Sequence, residues 1–270
     1  MSASEAPNSR FPELPSSLAA ERDGDIAILR LARPEKRNAL NDPTVKGLET
    51  FFTTIPEGIK AVVLAGDGDH FSAGLDLSEL QERDLAGASQ DARMWHAIFE
   101  RIGFGAVPIV SVLHGAVVGG GLELACATHI RVAEQSAYYG LPECQRGIFV
   151  GGGGSLRLPM LIGASRLMDM MLTGRVYDAA EGQAIGLSHY LVEDGAGLAK
   201  AKDLARRMAG NAPLTNFAVM QAIPRISEAS GSNGYFTEAL MAAVAQNEPE
   251  AKQRLRDFLE KRGPKVEKNQ

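Results

Sequence analysis

Residues 115–125 read GAVVGGGLELA. Three consecutive glycines, Gly119 to Gly121, interrupt an apolar run, and one carboxylate, Glu123, follows before the apolar character resumes. Glycine loses more backbone freedom on folding than any other residue, so three in a row imply a place where a side chain would obstruct something. A carboxylate among apolar neighbours implies a partner or a chemical task, because burying its charge alone is costly. The apolar run VPIVSVLHG (107–115) precedes the stretch and a short helical pattern, LELACATH, completes it. It reads as strand, glycine turn, helix. Glycines at a helix start leave N–H groups without intrahelical partners or side-chain cover. Those donors, with the positive end of the helix dipole, favour a developing negative charge.

The same alternation extends outward. DIAILRL (25–31), IKAVVLAG (59–66) and IRVAE (130–134) read as strands; TVKGLETFFTTI and ARMWHAIFERIG (92–103) carry apolar residues at helical spacing. Continuous apolar strands alternating with helices indicate parallel strands buried on both faces, an α/β core. From about residue 196 the pattern changes to four successive helical segments, beginning GLAKAKDLARRMAG, APLTNFAVMQAI, YFTEALMAAVAQ and EAKQRLRDFLEKR. The expected organisation is a flexible tail over 1–20, a core over 21–195 and a helical region over 196–270 that packs on another subunit.

The 270 residues are 45% hydrophobic and 23% charged with a net charge of −5, which gives no basic block for nucleic acid or an anionic membrane. No apolar run reaches the roughly 20 residues of a membrane span. Cys126 and Cys144 lack C-x-x-C spacing, which fits a reducing, cytoplasmic setting. The five histidines, His70, His96, His114, His129 and His189, show no metal-ligand spacing, so structural or surface roles are expected and no metal.

Two further loops follow strands. HFSAGLDL (70–77) supplies a turn at Gly74-Leu75 whose N–H groups make a second donor, and LPECQRGIFVGGGGS (141–155) supplies Glu143 and four more glycines. Ligands of open α/β sheets collect beyond the carboxyl ends of strands, where such loops converge. Taken singly, Glu123 reads as an acid favoured by a helix first turn and Glu143 as a solvated loop residue. Together, each flanked by a glycine turn, they read as a pair of carboxylates for acid–base work beside an oxyanion hole. Competing motifs fit less well. The glycine spacing is not G-x-G-x-x-G, although Glu134 ends a strand as a ribose-binding acid would; no Lys-Ser/Thr follows the glycines as in a P-loop; and Ser155 is outside any G-x-S-x-G elbow. Lys36 and Arg37 read as a solvated turn or as partners of a phosphorylated ligand. Met94, Trp95 and Ile98 read as core, or as the wall of an apolar acyl pocket if their helix borders the site.

These segments resemble the enoyl-CoA hydratase/isomerase (crotonase) superfamily over about residues 24 to 262. LARPEKRNALN resembles its CoA-contacting turn, HFSAGLDLSEL its F-x-A-G-x-D-L signature, and GAVVGGGLELA its G-x-x-x-G-G-G-x-E-L-A. LPECQRGIFVGGGG and LTGRVYDAAEGQAIGLSHYLV resemble the two motifs that follow, in the family order. The resemblance implies a crotonase-type spiral of ββα turns with a C-terminal helical trimerisation region, and a trimer or a hexamer built as a dimer of trimers. It implies an oxyanion hole from the N–H groups of Leu75 and Gly120, with Glu123 acting on the attacking water and Glu143 protonating Cα. Gly151 matches the glycine beside that water. Lys36, Arg37, Ala39, Ala73, Asp76 and Leu77 match positions lining the CoA channel, mostly through backbone. No cofactor is implied beyond the coenzyme A that enters on an acyl-CoA substrate.

Both glutamates together imply hydration of an α,β-unsaturated acyl-CoA thioester. CoA-thioester hydrolysis, enoyl-CoA isomerisation and non-catalytic acyl-CoA binding are the alternatives on the same fold. Val150 departs from the proline that hydratases usually carry there, and Leu75 from their common alanine. The MWH helix and the four-glycine loop are similar to methylthioacryloyl-CoA hydratases of sulfur-compound breakdown.

Overall fold

A computed structural model of the protein describes residues 10–79, 85–229, 231–260 and 262. Two sheets organise the chain up to Met208, the first of two compact units; the second begins at Ala209. The larger sheet has the strand order β1 (Leu18–Asp23), β2 (Ile26–Leu31), β3 (Ala61–Gly66), β4 (Ile109–Leu113), β6 (Ile130–Glu134) and β9 (Tyr190–Val192). Its neighbours run parallel from β2 onward, and only β1 is antiparallel, folded back through a two-residue turn at Gly24 and Asp25. The smaller sheet joins β5 (Ala116–Val118), β7 (Tyr138–Gly140) and β8 (Tyr177–Asp178).

The chain passes between the sheets in a repeating way. After β4 it enters the small sheet as β5 and then forms α3 (Gly120–Ala127); after β6 it enters as β7 and later forms α4 (Gly154–Ile162). The turn before these follows the same course: after β3, Ser72 makes a single parallel bridge to Val117, and α2 (Leu85–Gly103) follows. These are successive ββα turns of a spiral, as expected. Residues 61–65 of β3 and all of β4 are buried, which is why their sequences are continuously apolar. Short strands such as β5, β7 and β8 are too brief to show a period of two, so nothing in the sequence marks them.

The N-terminal boundary differs from expectation. Residues 1–9 of the expected tail lie outside the described residues, but β1 begins at Leu18, and Phe11 stacks on Phe51 of α1 (Asp42–Thr53) with ring centroids 5.7 Å apart. An aromatic ring with an apolar groove beside it gains more by burial than it loses in freedom. Helices α5 (Ala164–Thr173), α6 (Ala179–Ile185) and α7 (Gly197–Ala209) complete this unit. α7 is tied into this unit: Arg206 pairs with Asp23 at 2.9 Å, and Glu134 Oε1 accepts the N–H of Gly197 at 2.9 Å. That bond answers the ribose-acid reading of Glu134: its carboxylate caps a helix.

The second unit holds α8 (Pro213–Glu228), α9 (Gly231–Asn247) and α10 (Pro249–Leu259). Phe217, Ile223, Phe236, Leu240 and Leu259 are all exposed on it. No helix among the described residues is long and apolar enough to cross a membrane.

Candidate active site

The spiral lays the loops after Ser72, Val118 and Gly140 side by side, since Ser72 bridges Val117 and Val118 pairs with Gly140. Gly74, Gly119 and Glu143 occupy similar places on consecutive turns and meet closely. A Cβ added to Gly74 would stand 2.7 Å from the Val118 carbonyl oxygen and 3.1 Å from the Gly120 nitrogen. One added to Gly119 would stand 2.9 Å from Glu143 Oε1. The glycines are there because adjacent turns of backbone touch.

Two amides at this meeting point have no acceptor among the described residues. Leu75 forms a parallel bridge with Leu40, in which the Leu40 N–H donates to Gly74 O at 2.7 Å and the Asp76 N–H to Leu40 O at 2.9 Å. In a parallel bridge the central residue's own N–H points the other way, so that of Leu75 faces away from Leu40. Gly120 is the first residue of α3, and Gly119 ahead of it has φ 56° and ψ −128°, an angle pair open to glycine. The unusual angle therefore belongs to Gly119 and not to Gly120. The Gly119 N–H donates to Gly140 O at 2.9 Å and its carbonyl accepts the Glu123 N–H, which leaves the Gly120 N–H as the first free donor of the helix. Leu75 N lies 3.5 Å from where a Gly120 Cβ would be, so the two open amides are neighbours.

The carboxylates lie beside them. Glu123 is buried in the first turn of α3, but it serves the next helix: its Oε1 accepts the N–H groups of Gly152 at 2.8 Å and Gly154 at 2.7 Å. Gly154 opens α4, so the carboxylate sits at a helix N-terminus. Hydrogen bonds to a charged group contribute about 1.5–3 kcal/mol each, which offsets part of the several kcal/mol lost by taking a carboxylate out of water. Burial still pushes the Glu123 pKa up, against the amides of Gly154, Gly152 and Gly151 and the Arg157 charge that pull it down. Glu143 is held differently. Its Oε2 is buried and has no hydrogen-bond partner among the described residues. Burial raises its pKa, the Glu123 charge adds to the rise, and a backbone hydrogen bond and Arg146 oppose it.

A third wall is aromatic. Trp95 and Phe99 of α2 pack with ring centroids 5.5 Å apart. A Gly120 Cβ would approach Trp95 to 3.0 Å, and a Gly152 Cβ would approach Phe99 to 2.9 Å. The helix does border the two glycine turns, and its buried residues are core and wall at once.

The residues expected along a CoA channel gather at one edge. Ala73 donates its N–H to Arg37 O at 2.9 Å, and Ala39 O accepts Arg33 Nη1 at 2.8 Å. Lys36 and Arg37 are exposed in the turn after β2, with Arg37 in the left-handed region at φ 52°. Leu77 is exposed, whereas Asp76 is buried, paired with Arg33 at 3.0 Å and bonded to the Ser78 hydroxyl at 2.6 Å, which together hold its pKa down. Gly151 has open space around it. Four contributors went unread in the sequence: Gly152 and Gly154, which touch the Glu123 carboxylate; Arg33; and Ser72, whose hydroxyl donates to Asn38 O at 2.9 Å and accepts the Gly74 N–H at 3.2 Å. The glycine run was the available signal for the first two; Arg33 and Ser72 carry none without their distant partners.

The histidines are structural where they are engaged. His70 Nδ1 accepts the Ala116 N–H, His189 Nδ1 accepts the Arg131 N–H, and His129 spans the Ile109 N–H and the Gly103 carbonyl. Among the described residues no cluster of His, Cys, Asp and Glu could hold a metal ion.

Comparison with known proteins follows the same line. A sequence profile described as Enoyl-CoA hydratase/isomerase matches residues 21–269. The 2,3-dehydroadipyl-CoA hydratase of Escherichia coli K12 is 32% identical over 251 residues, 92% of this chain and 98% of its own. The short-chain-enoyl-CoA hydratase of Clostridium acetobutylicum is 29% identical over 250 residues, 92% of this chain and 96% of its own. A crystal structure of a proposed enoyl-CoA hydratase from Rhodopseudomonas palustris CGA009 matches with a TM-score of 0.89 at 57% identity, covering 91% of this chain and 95% of that one.

Proposed function

The chain belongs to the enoyl-CoA hydratase/isomerase family, and from that premise we propose that it is a hydro-lyase adding water across the double bond of a 2-enoyl-CoA. The observation that carries the reading is the pair of buried, differently held carboxylates beside two open backbone amides. The thioester oxygen accepts hydrogen bonds from the Leu75 and Gly120 N–H groups, which grow stronger as the carbonyl turns into an enolate. Glu123, anchored by amides that favour its anionic form, takes a proton from water as the water oxygen bonds to Cβ. Glu143, whose Oε2 has no partner, carries the proton delivered to Cα. The product is the 3-hydroxyacyl-CoA, and the two carboxylates exchange protonation states for the reverse step. Lys36, Arg37 and the backbone at Ala39, Ala73, Asp76 and Leu77 line the path of the coenzyme A, and Gly151 lies beside the water.

The exposed apolar residues of α8, α9 and α10 support a trimer or a dimer of trimers, since a soluble monomer rarely shows so many together. Sedimentation at micromolar concentration checks this; a clean monomer contradicts it.

Hydration is tested by loss of the conjugated thioester absorbance with a panel of enoyl-CoA substrates of rising chain length, 3-methylthioacryloyl-CoA included. Conversion to the 3-hydroxyacyl-CoA supports the reading. Release of free thiol from a saturated acyl-CoA instead marks a hydrolase, and retention of ligand with no turnover marks a binder.

A further inference from the structure

We propose that Arg157 is a positioning residue for Glu123, clamping the glycine loop that holds the carboxylate and stabilising its anionic form through space. The proposal rests on Glu123 acting as the base. Arg157 projects from the first turn of α4, and its Nη1 donates to the Gly152 carbonyl at 2.9 Å. The N–H of that same Gly152, and that of Gly154, donate to Glu123 Oε1. The loop is thus gripped on its carbonyl side by a cation and on its amide side by an anion. A Cβ on Gly153 would fall on the guanidinium, so the loop and the arginine are fitted to each other.

Arg157 forms no ion pair among the described residues, although it is half-buried and that burial lowers its pKa. The groups that favour its charged form are Cys126, Glu123 and Glu100; with the Cys126 thiol pushed up to about 11, the two carboxylates are the ones charged at neutral pH. Glu123 in turn is faced by Glu143 from the 141–143 turn, by Cys126 on its own helix and by Arg157 from α4. Among the described residues Arg157 is the cation whose charge pulls the Glu123 pKa down, against burial.

The test uses Arg157→Gln, which keeps a donor and loses the charge, and Arg157→Lys, which keeps the charge. Arg157→Met replaces the glutamine variant if that one fails to fold. The Glu123 carboxyl is followed by carbon-13 NMR in protein labelled on glutamate, its signal identified by its loss in Glu123→Gln. The neutral variant should raise the Glu123 midpoint by about one pH unit, and the lysine variant by only a few tenths. With an enoyl-CoA substrate the acidic limb of the kcat profile should move up by the same amount while KM stays level. In a Glu123→Gln background, Arg157→Gln should then cost nothing further. A folded neutral variant with the native midpoint overturns the proposal, as does an additive loss in the double variant. If no enoyl-CoA is hydrated, the proposed reaction fails while the NMR midpoint still decides the role of Arg157.

Discussion

The glycine turn at 119–121 and the glycine turn at 151–154 are built alike and face opposite ways chemically. Each opens a helix, and each contains one glycine at positive φ, Gly119 at 56° and Gly153 at 89°. The first leaves its leading amide, that of Gly120, without a partner among the described residues. The second commits its amides to an internal carboxylate, Glu123 Oε1. A helix N-terminus is a donor site waiting for an anion. Whether it becomes a ligand site or a support for a catalytic group depends on what the neighbouring turn of the spiral brings to it.

The largest effects should come from the carboxylates that the two turns flank. Glu123→Gln and Glu143→Gln are each expected to lower kcat by about 10²–10⁴-fold with the circular dichroism spectrum unchanged. A near-native rate in either variant would make that residue structural. The open turn comes next. Gly120→Pro removes the donor at a first helical position, where proline is tolerated, and should lower kcat by about 10²–10³-fold. Leu75→Ala keeps its N–H and should be mild; equal damage in the two folded variants would overturn the oxyanion assignment.

The closed turn should respond to bulk rather than to loss of a donor. A Cβ at Gly154 meets Glu123 Oε1 at 2.8 Å, whereas one at Gly151 meets nothing within 4 Å. Gly154→Ala should therefore cost about tenfold to a hundredfold in kcat by displacing the base. Gly151→Ala meets no protein atom and leaves the carboxylate in place; its loss should come from crowding the water beside it and stay below that of Gly154→Ala. If the two alanines behave alike, the loop does not fix the carboxylate.

The smallest effect is on stability, and its size separates the two acids. Glu143 has a pKa raised in the folded protein, so above the unfolded carboxylate value its ionisation penalises the native state, and stability falls as pH rises through the folded pKa. Neutral glutamine removes that penalty, so Glu143→Gln should raise Tm at pH 7. Glu123→Gln should raise it less, because the amides that favour the anion lose part of their gain. A higher Tm for Glu123→Gln than for Glu143→Gln would show that the amides do not compensate for its burial.

Much of this was legible in the residues. The strands β2, β3, β4 and β6 are read from continuous apolar runs because both of their faces are covered. Glu123 and Glu143 stand out beside their glycines. What was illegible was pairing at a distance. The turn DGD at 23–25 closes β1 onto β2, but β1, LAAERD, has no clear alternation to announce it. Glu134 ends a strand in a manner that suits ribose, and only the arrival of Gly197, 63 residues later, shows it to be a helix cap. Asp76 reads as a channel residue until Arg33 is found against it.

By itself the sequence determined the local events: which runs are buried strands, where backbone is bare, and where an acid is set among apolar neighbours. These follow from period, side-chain volume and the cost of exposing apolar surface, all properties of contiguous residues. The tertiary structure alone decided which amides stay open and which are closed. That choice is made when adjacent turns of the spiral come to rest a few ångströms apart, so that Leu40 takes the bonds on either side of Leu75, Gly140 takes the N–H of Gly119, and Glu123 of one turn reaches the helix start of the next. A hydrogen bond depends on distance and angle between groups far apart in the chain, and no sequence window contains both.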